Sequence, residues 1–119
     1  MVYNIGVKKG KMVILMNKYC IITTACNKIE IANKIIDSLL EKRLVSCCQM
    51  MNIESAYWWE GKIVKEPEFL IQMKTKKELF EEVRDEILKL HDYDICEISS
   101  CDIEQGSDSF LNWVDYETK

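Results

Sequence analysis

The sequence predicts an α+β domain with its elements in the order β-α-β-β-α-β, closed by a short C-terminal helix. Three observations carry that prediction. Two stretches space their apolar residues at the helical period, each behind a residue suited to capping a helix. Short runs rich in β-branched and aromatic residues precede, separate and follow them. Glu60-Gly61 interrupts the longest run with a pair suited to a tight turn, because glycine accepts positive φ.

Residues 19–24 hold Ile21, Ile22, Thr23 and Thr24 and read as the first strand. Asn27 stands three residues before Glu30, a capping box with asparagine as the cap. Ala32, Ile35, Ile36, Leu39 and Leu40 then recur at helical spacing, with Lys34, Asp37 and Glu41 on the wet side. A helix over 28–43 follows. Residues 44–59 and 62–74 are the arms of a hairpin. Alternation puts Ile53, Ser55, Tyr57 and Trp59 on one face of the first arm, and Glu54, Ala56 and Trp58 on the other. Thr75, three residues before Glu78, is the expected cap of a second helix. Its apolar stripe is Leu79, Val83, Ile87 and Leu90, and it ends near His91. A last strand covers 95–103. Gln105-Gly106 turns the chain, and Ser107 or Asp108 caps the closing helix through Phe110, Leu111 and Trp113. This order is the ferredoxin-like split β-α-β arrangement, an antiparallel sheet with both helices on one face.

The hairpin is too long for the domain that carries it. Two arms of about 14 residues, at roughly 3.3 Å each, reach about 45 Å. A compact domain of this size has a radius of gyration of only about 13 Å. The ribbon therefore overhangs its own sheet, or a bulge near Pro67 breaks it. An overhanging two-stranded ribbon is marginal alone, and its free edges need cover. The expected cover is another copy of the chain, with Tyr57, Trp58 and Trp59 in the interface, because aromatics dominate interface cores; the alternative for these rings is stacking on a ligand ring.

Composition narrows the function. The chain has 119 residues, of which 30% are charged and 48% hydrophobic, the balance of one globular domain of residues 16–119. Residues 1–15 carry Lys8, Lys9 and Lys11 without an acidic residue and read as an N-terminal extension, with Met16 a candidate alternative start. A net charge of −4 disfavours a nucleic-acid partner. The β-α-β-β-α-β order also builds RNA-recognition domains, but residues 68–74 lack the basic-Gly-aromatic strand motif those domains need. No apolar run approaches the roughly 18 residues of a membrane span. Six cysteines occur without a Cys-x-x-Cys pair. With no hydrophobic signal core at the start, they are expected to be reduced, mostly buried thiols of a cytoplasmic protein.

Chemistry-bearing residues are few. His91 is the single histidine, and it is either a metal ligand or proton carrier, or a structural residue behind the second helix. Asp92, Asp94, Cys96 and Glu97 surround it in sequence. Cys47 and Cys48 point to opposite faces of a strand, which disfavours a two-thiolate clamp from one chain. There is no nucleophile elbow, phosphate loop or dinucleotide fingerprint, so no enzyme activity is expected.

Several ordered motifs resemble the CutA divalent-cation tolerance family. They are Thr23-Thr24-Ala25, Leu44-Val45-Ser46-Cys47, the run from Ser55 through Tyr57-Trp58-Trp59-Glu60-Gly61 to Ile63, Met73-Lys74-Thr75, His91-Asp92-Tyr93 with Glu97-Ile98, and Gly106 with Phe110-Leu111-Asn112-Trp113. The resemblance implies a ferredoxin-like protomer in a tight homotrimer of the architecture seen in PII signalling proteins. It implies a role in copper or other divalent-cation tolerance, with the metal ion as partner. Cys47, Lys74, Tyr93, Glu97 and Trp113 match positions lining or supporting the family's inter-subunit cleft. His91 matches one of the family's proposed metal ligands, with Cys96 or Glu97 as its candidate companion. At two other ligand positions this chain carries Thr23 and Leu90. The alternative implied by the PII-like architecture is a small-molecule sensor or partner-binding trimer in which metal binding is incidental.

Overall fold

The computed structural model describes residues 18–119. The expected N-terminal extension and Met16 lie outside the described residues. Eight residues of strand open the fold, β1 (Tyr19–Cys26), followed by helix α1 (Ile29–Glu41). The hairpin is β2 (Cys47–Trp59) and β3 (Lys62–Lys76). A 3-10 turn, Lys77–Leu79, leads into α2 (Phe80–Leu90), then β4 (Ile98–Asp102) and α3 (Asp108–Glu117). One four-stranded sheet runs β2-β3-β1-β4 with every neighbouring pair antiparallel.

The core forms where the two periodicities meet. Cys20, Ile22 and Cys26 of β1 and Ile71 and Met73 of β3 project from one sheet face by alternation. Ala32, Ile35 and Leu39 of α1 and Val83 and Ile87 of α2 complete the same cluster, so both helices pack on that face. Leu40, expected in the stripe of α1, is 40% exposed. It sits one position past Leu39, on the flank of the apolar face.

Helix starts differ from the expected caps. Lys28 occupies the cap of α1 without a side-chain bond, because the Asn27 amide instead donates to Glu66 Oε1 at 3.3 Å. Thr75 stays in β3, opposite Cys20, and its buried hydroxyl donates to the Leu44 carbonyl at 2.6 Å. The strand therefore runs past it to Lys76, and α2 begins only after the 3-10 turn. Ser107 does occupy the cap position of α3, without a side-chain bond. The last strand is shorter than expected, because β4 pairs only with the stretch of β1 from Cys20 to Thr24. Ile95 falls outside it and is exposed.

The hairpin overhangs. Glu60 (φ 50°) and Gly61 (φ 78°) form its two-residue turn with the positive φ pair of a type I′ turn. Register runs unbroken from Cys47↔Lys74 to Trp59↔Lys62, so no bulge occurs at Pro67, which pairs with Glu54. Proline is tolerated there because β1 stops at the Cys26↔Phe69 pair and leaves the other edge of β3 free. The seven pairs from Ile53↔Glu68 to Trp59↔Lys62 extend past β1 as a two-stranded ribbon. The described residues accordingly measure 55 × 32 × 22 Å, with a radius of gyration of 16.8 Å.

Candidate functional site

The overhang and the irregular segment 91–97 border an open cleft of about 750 Å³. His91 sets the position of that segment. Its side chain is fully buried, and its ring Nε2 lies 2.7 Å from the Ala25 carbonyl at the end of β1. The Tyr93 backbone N–H donates to Nδ1 at 3.2 Å. A carbonyl can only accept and an amide N–H can only donate, so the ring is the neutral tautomer protonated at Nε2. The Tyr93 ring also lies against the His91 ring, tilted by 52° at a centroid distance of 4.5 Å. Lys28 binds Asp92 at 2.7 Å and ties the same segment to the start of α1.

Tyr93 in turn reaches across the cavity and donates its hydroxyl to Glu68 Oε2 at 2.7 Å. Burial and the adjacent carboxylate push the Tyr93 phenol well above its ordinary value. One strand period away, Glu66 accepts from the Tyr57 hydroxyl and from Asn27. That contact raises the Tyr57 phenol to about 12. Asp94 and Glu97 add two more carboxylates to the wall, and Trp58 and Trp59 add rings.

The expected site residues therefore divide. Tyr93, Cys96, Glu97, Tyr57, Trp58 and Trp59 line the one cavity, with His91 behind it as a positioning residue. Cys47 and Lys74 pair with each other at the opposite end of the hairpin, where the Lys74 ammonium meets Gln49. Ten residues of strand, about 33 Å, separate Cys47 from Tyr57. Trp113 sits on α3 beside Phe110, outside the cavity wall. Thr23 is an ordinary β1 residue opposite Gln72, and Leu90 packs on the core. Glu66, Glu68 and Asn27 were missed by sequence reasoning. The available signal was two acids two apart in a strand, but its meaning depends on the tyrosines that register and loop placement bring against them.

The described residues of one protomer do not fit a resident metal. Both His91 nitrogens are engaged, and the Cys96 thiol donates to the Tyr93 carbonyl at 3.5 Å. Among the described residues no group of three His, Cys, Asp or Glu side chains is placed to hold an ion. The thiols are free. Burial raises Cys20 to about 11 and Cys48 to about 12, which keeps both protonated at neutral pH.

Comparison with known proteins gives the lineage. A family model described as CutA1 divalent ion tolerance protein matches residues 20–117. The divalent-cation tolerance protein CutA of Archaeoglobus fulgidus is 44% identical over 87 residues, 73% of this chain and 85% of that protein. The corresponding protein of Pyrococcus horikoshii is 37% identical over 90 residues, 76% of this chain and 88% of that protein. A solved structure described as the periplasmic divalent cation tolerance protein CutA of Archaeoglobus fulgidus superposes with a TM-score of 0.83 at 39% identity, covering 85% of this chain and 99% of that one. Matched along nearly all of its described length in sequence and in fold, the chain belongs to the CutA1 divalent ion tolerance family.

Proposed function

We propose that this chain serves divalent-cation tolerance as a ferredoxin-like homotrimer of PII-like architecture, without catalysis, in a reducing cytoplasm. One observation carries the assembly. The overhang ends in Trp58, 72% exposed, directly opposite Ile63, 62% exposed, beyond the reach of β1. An apolar ribbon tip with free edges is unstable in water and is covered by a second copy of the same surface. Copper or another divalent cation is then taken between copies, where Cys47, Lys74, Tyr93, Glu97 and Trp113 of different chains meet. The resemblance to the CutA family, whose inter-subunit cleft those positions match, supports this reading.

Sedimentation and metal titration test this reading. At micromolar concentration the reduced protein should sediment at three times its 14.0 kDa chain mass, and a stable monomer overturns the assembly. Titration with Cu(I), Cu(II) and Zn(II) against a competing chelator, beside His91→Ala and Cys47→Ser, reads the metal. Binding retained in His91→Ala and weakened in Cys47→Ser is expected. Binding no tighter than that of a surface carboxylate overturns the metal role.

The second reading, a small-molecule sensor, is favoured by the cavity itself. About 750 Å³ is the size of an organic ligand, far beyond that of an ion.

A further inference from the structure

We infer that Arg43 is a positioning residue, an ionic latch that fastens the end of α3 to the turn between α1 and β2. The latch lies within one protomer. Only its bearing on the inter-subunit cleft, through Trp113 on the same helix, rests on the assembly proposed above.

The turn gives the first observation. Lys42 caps α1, and two backbone bonds wrap the helix end. The Arg43 N–H donates to the Leu40 carbonyl at 3.1 Å, and the Leu44 N–H to the Leu39 carbonyl at 3.0 Å. This pattern puts the residue after the cap in the left-handed region, where glycine is the unstrained choice. Arg43 stands there at φ 57°. A side chain is disfavoured in that conformation, so the turn by itself gives no reason for an arginine.

The partners of Arg43 give one. Its guanidinium Nη1 donates to Glu117 Oε1 at 2.8 Å and to the Glu117 carbonyl at 3.2 Å. Its own carbonyl accepts from the Lys119 N–H at 3.0 Å. Side chain and backbone of one residue thus hold a stretch of chain 74 residues later. The Lys119 ammonium extends the fastening to α2, lying 2.9 Å from Glu82. Between these anchors Thr118 is buried, and its hydroxyl donates to the Val114 carbonyl at 2.9 Å. Glycine at position 43 would relax the turn and keep the carbonyl contact, but it would lose the grip on Glu117. Trp113 precedes Glu117 by about one helical turn, so holding Glu117 also holds that ring in place. The Arg43 side chain is 61% exposed, so salt screens its pair with Glu117 and leaves the backbone bond intact.

Amide hydrogen exchange on the full-length reduced protein tests the latch. It is read at Lys119, whose N–H meets Arg43, against Leu44, whose N–H closes α1. Exchange at Lys119 should rise about fivefold in Arg43→Gly and in Glu117→Gln, the scale of one exposed charged contact. Exchange at Leu44 should not rise in Arg43→Gly, because glycine suits that turn. The reversed pair, Arg43→Glu with Glu117→Arg, should restore the protection that each single change removes. A purely backbone role for residue 43 predicts no such rescue. Raising NaCl from about 0.05 M to about 1 M should speed exchange at Lys119 in the parent and not in Glu117→Gln. Unchanged exchange at Lys119 in both single variants overturns the inference, as does failure of the reversed pair to restore protection. Sedimentation reads assembly separately. A monomer whose Lys119 amide still responds keeps the latch and removes only its bearing on the cleft.

Discussion

His91 is the residue whose meaning changed most between sequence and structure. Alone in the chain, it invites a metal or a proton. In place, it spends both nitrogens on backbone groups from β1 and from its own segment, and so positions Tyr93. Two other buried polar residues give sharper expectations. Thr24 Oγ1 is fully buried and has no hydrogen-bond partner among the described residues. Replacing it by the isosteric valine removes an unsatisfied hydroxyl, so Thr24→Val should raise stability by about 1 kcal/mol in urea denaturation. Glu86, between α1 and α2, accepts from Ser38 and pairs with Lys42 at 3.0 Å and Lys89 at 3.3 Å. The Ser38 hydroxyl first, then Lys42, holds its carboxyl down at about 2 rather than 4.5. A carboxyl with a depressed folded-state pKa stabilises above its unfolded value and loses that contribution as pH falls through the folded one. Glu86→Gln should therefore cost about 1 kcal/mol at neutral pH and converge with the parent between about pH 4.5 and pH 2. Equal pH slopes in parent and variant would refute this.

The hairpin shows how local chemistry sets a larger form. Gly61, at φ 78°, meets nothing within 4 Å where a Cβ would sit, so the whole cost of a side chain there is conformational. Gly61→Ala should destabilise by about 1 kcal/mol through backbone strain alone, while Glu60→Asn, at φ 50°, should recover about half of it in the double variant. Equilibrium denaturation of the three variants checks both signs. Gly106 is different. A Cβ there would lie 3.1 Å from the Leu111 side chain, tighter than an ordinary contact, so the close return of the chain onto α3 favours glycine. The helix stripes at Val83 and Ile87, the turn at Glu60-Gly61 and the alternation of Ile53, Ser55 and Tyr57 were all legible, because each depends on neighbours in sequence. The caps were not. Asn27 and Thr75 can satisfy backbone groups anywhere within reach, and Glu66 and Leu44 competed successfully for them.

For the molecule as a unit, the governing fact is the ribbon that one chain leaves uncovered. Trp58 is already 72% exposed in the protomer, so Trp58→Glu should change protomer stability little. It should weaken the proposed assembly at least about tenfold, by placing a charge on the apolar ribbon tip. Sedimentation of the variant over a concentration series reads the shift, and an unchanged oligomer would remove Trp58 from the interface. The same geometry explains why the expected cleft residues split within one chain, with Cys47 and Lys74 at the root of the ribbon and Tyr93 and Glu97 toward its tip.

The order of strands and helices, the apolar faces and the excess length of the hairpin were written in the sequence, since periodicity, turn chemistry and rise per residue are local quantities. The identity of the site was not. It required β3 to pair with β1 only as far as Phe69, and the segment behind α2 to fold back onto Ala25, before Tyr93 could meet Glu68 and Tyr57 could meet Glu66 across a shared cavity. Those contacts join residues distant in sequence or on opposite arms of the ribbon, and strand pairing and burial, which no single stretch encodes, bring them together.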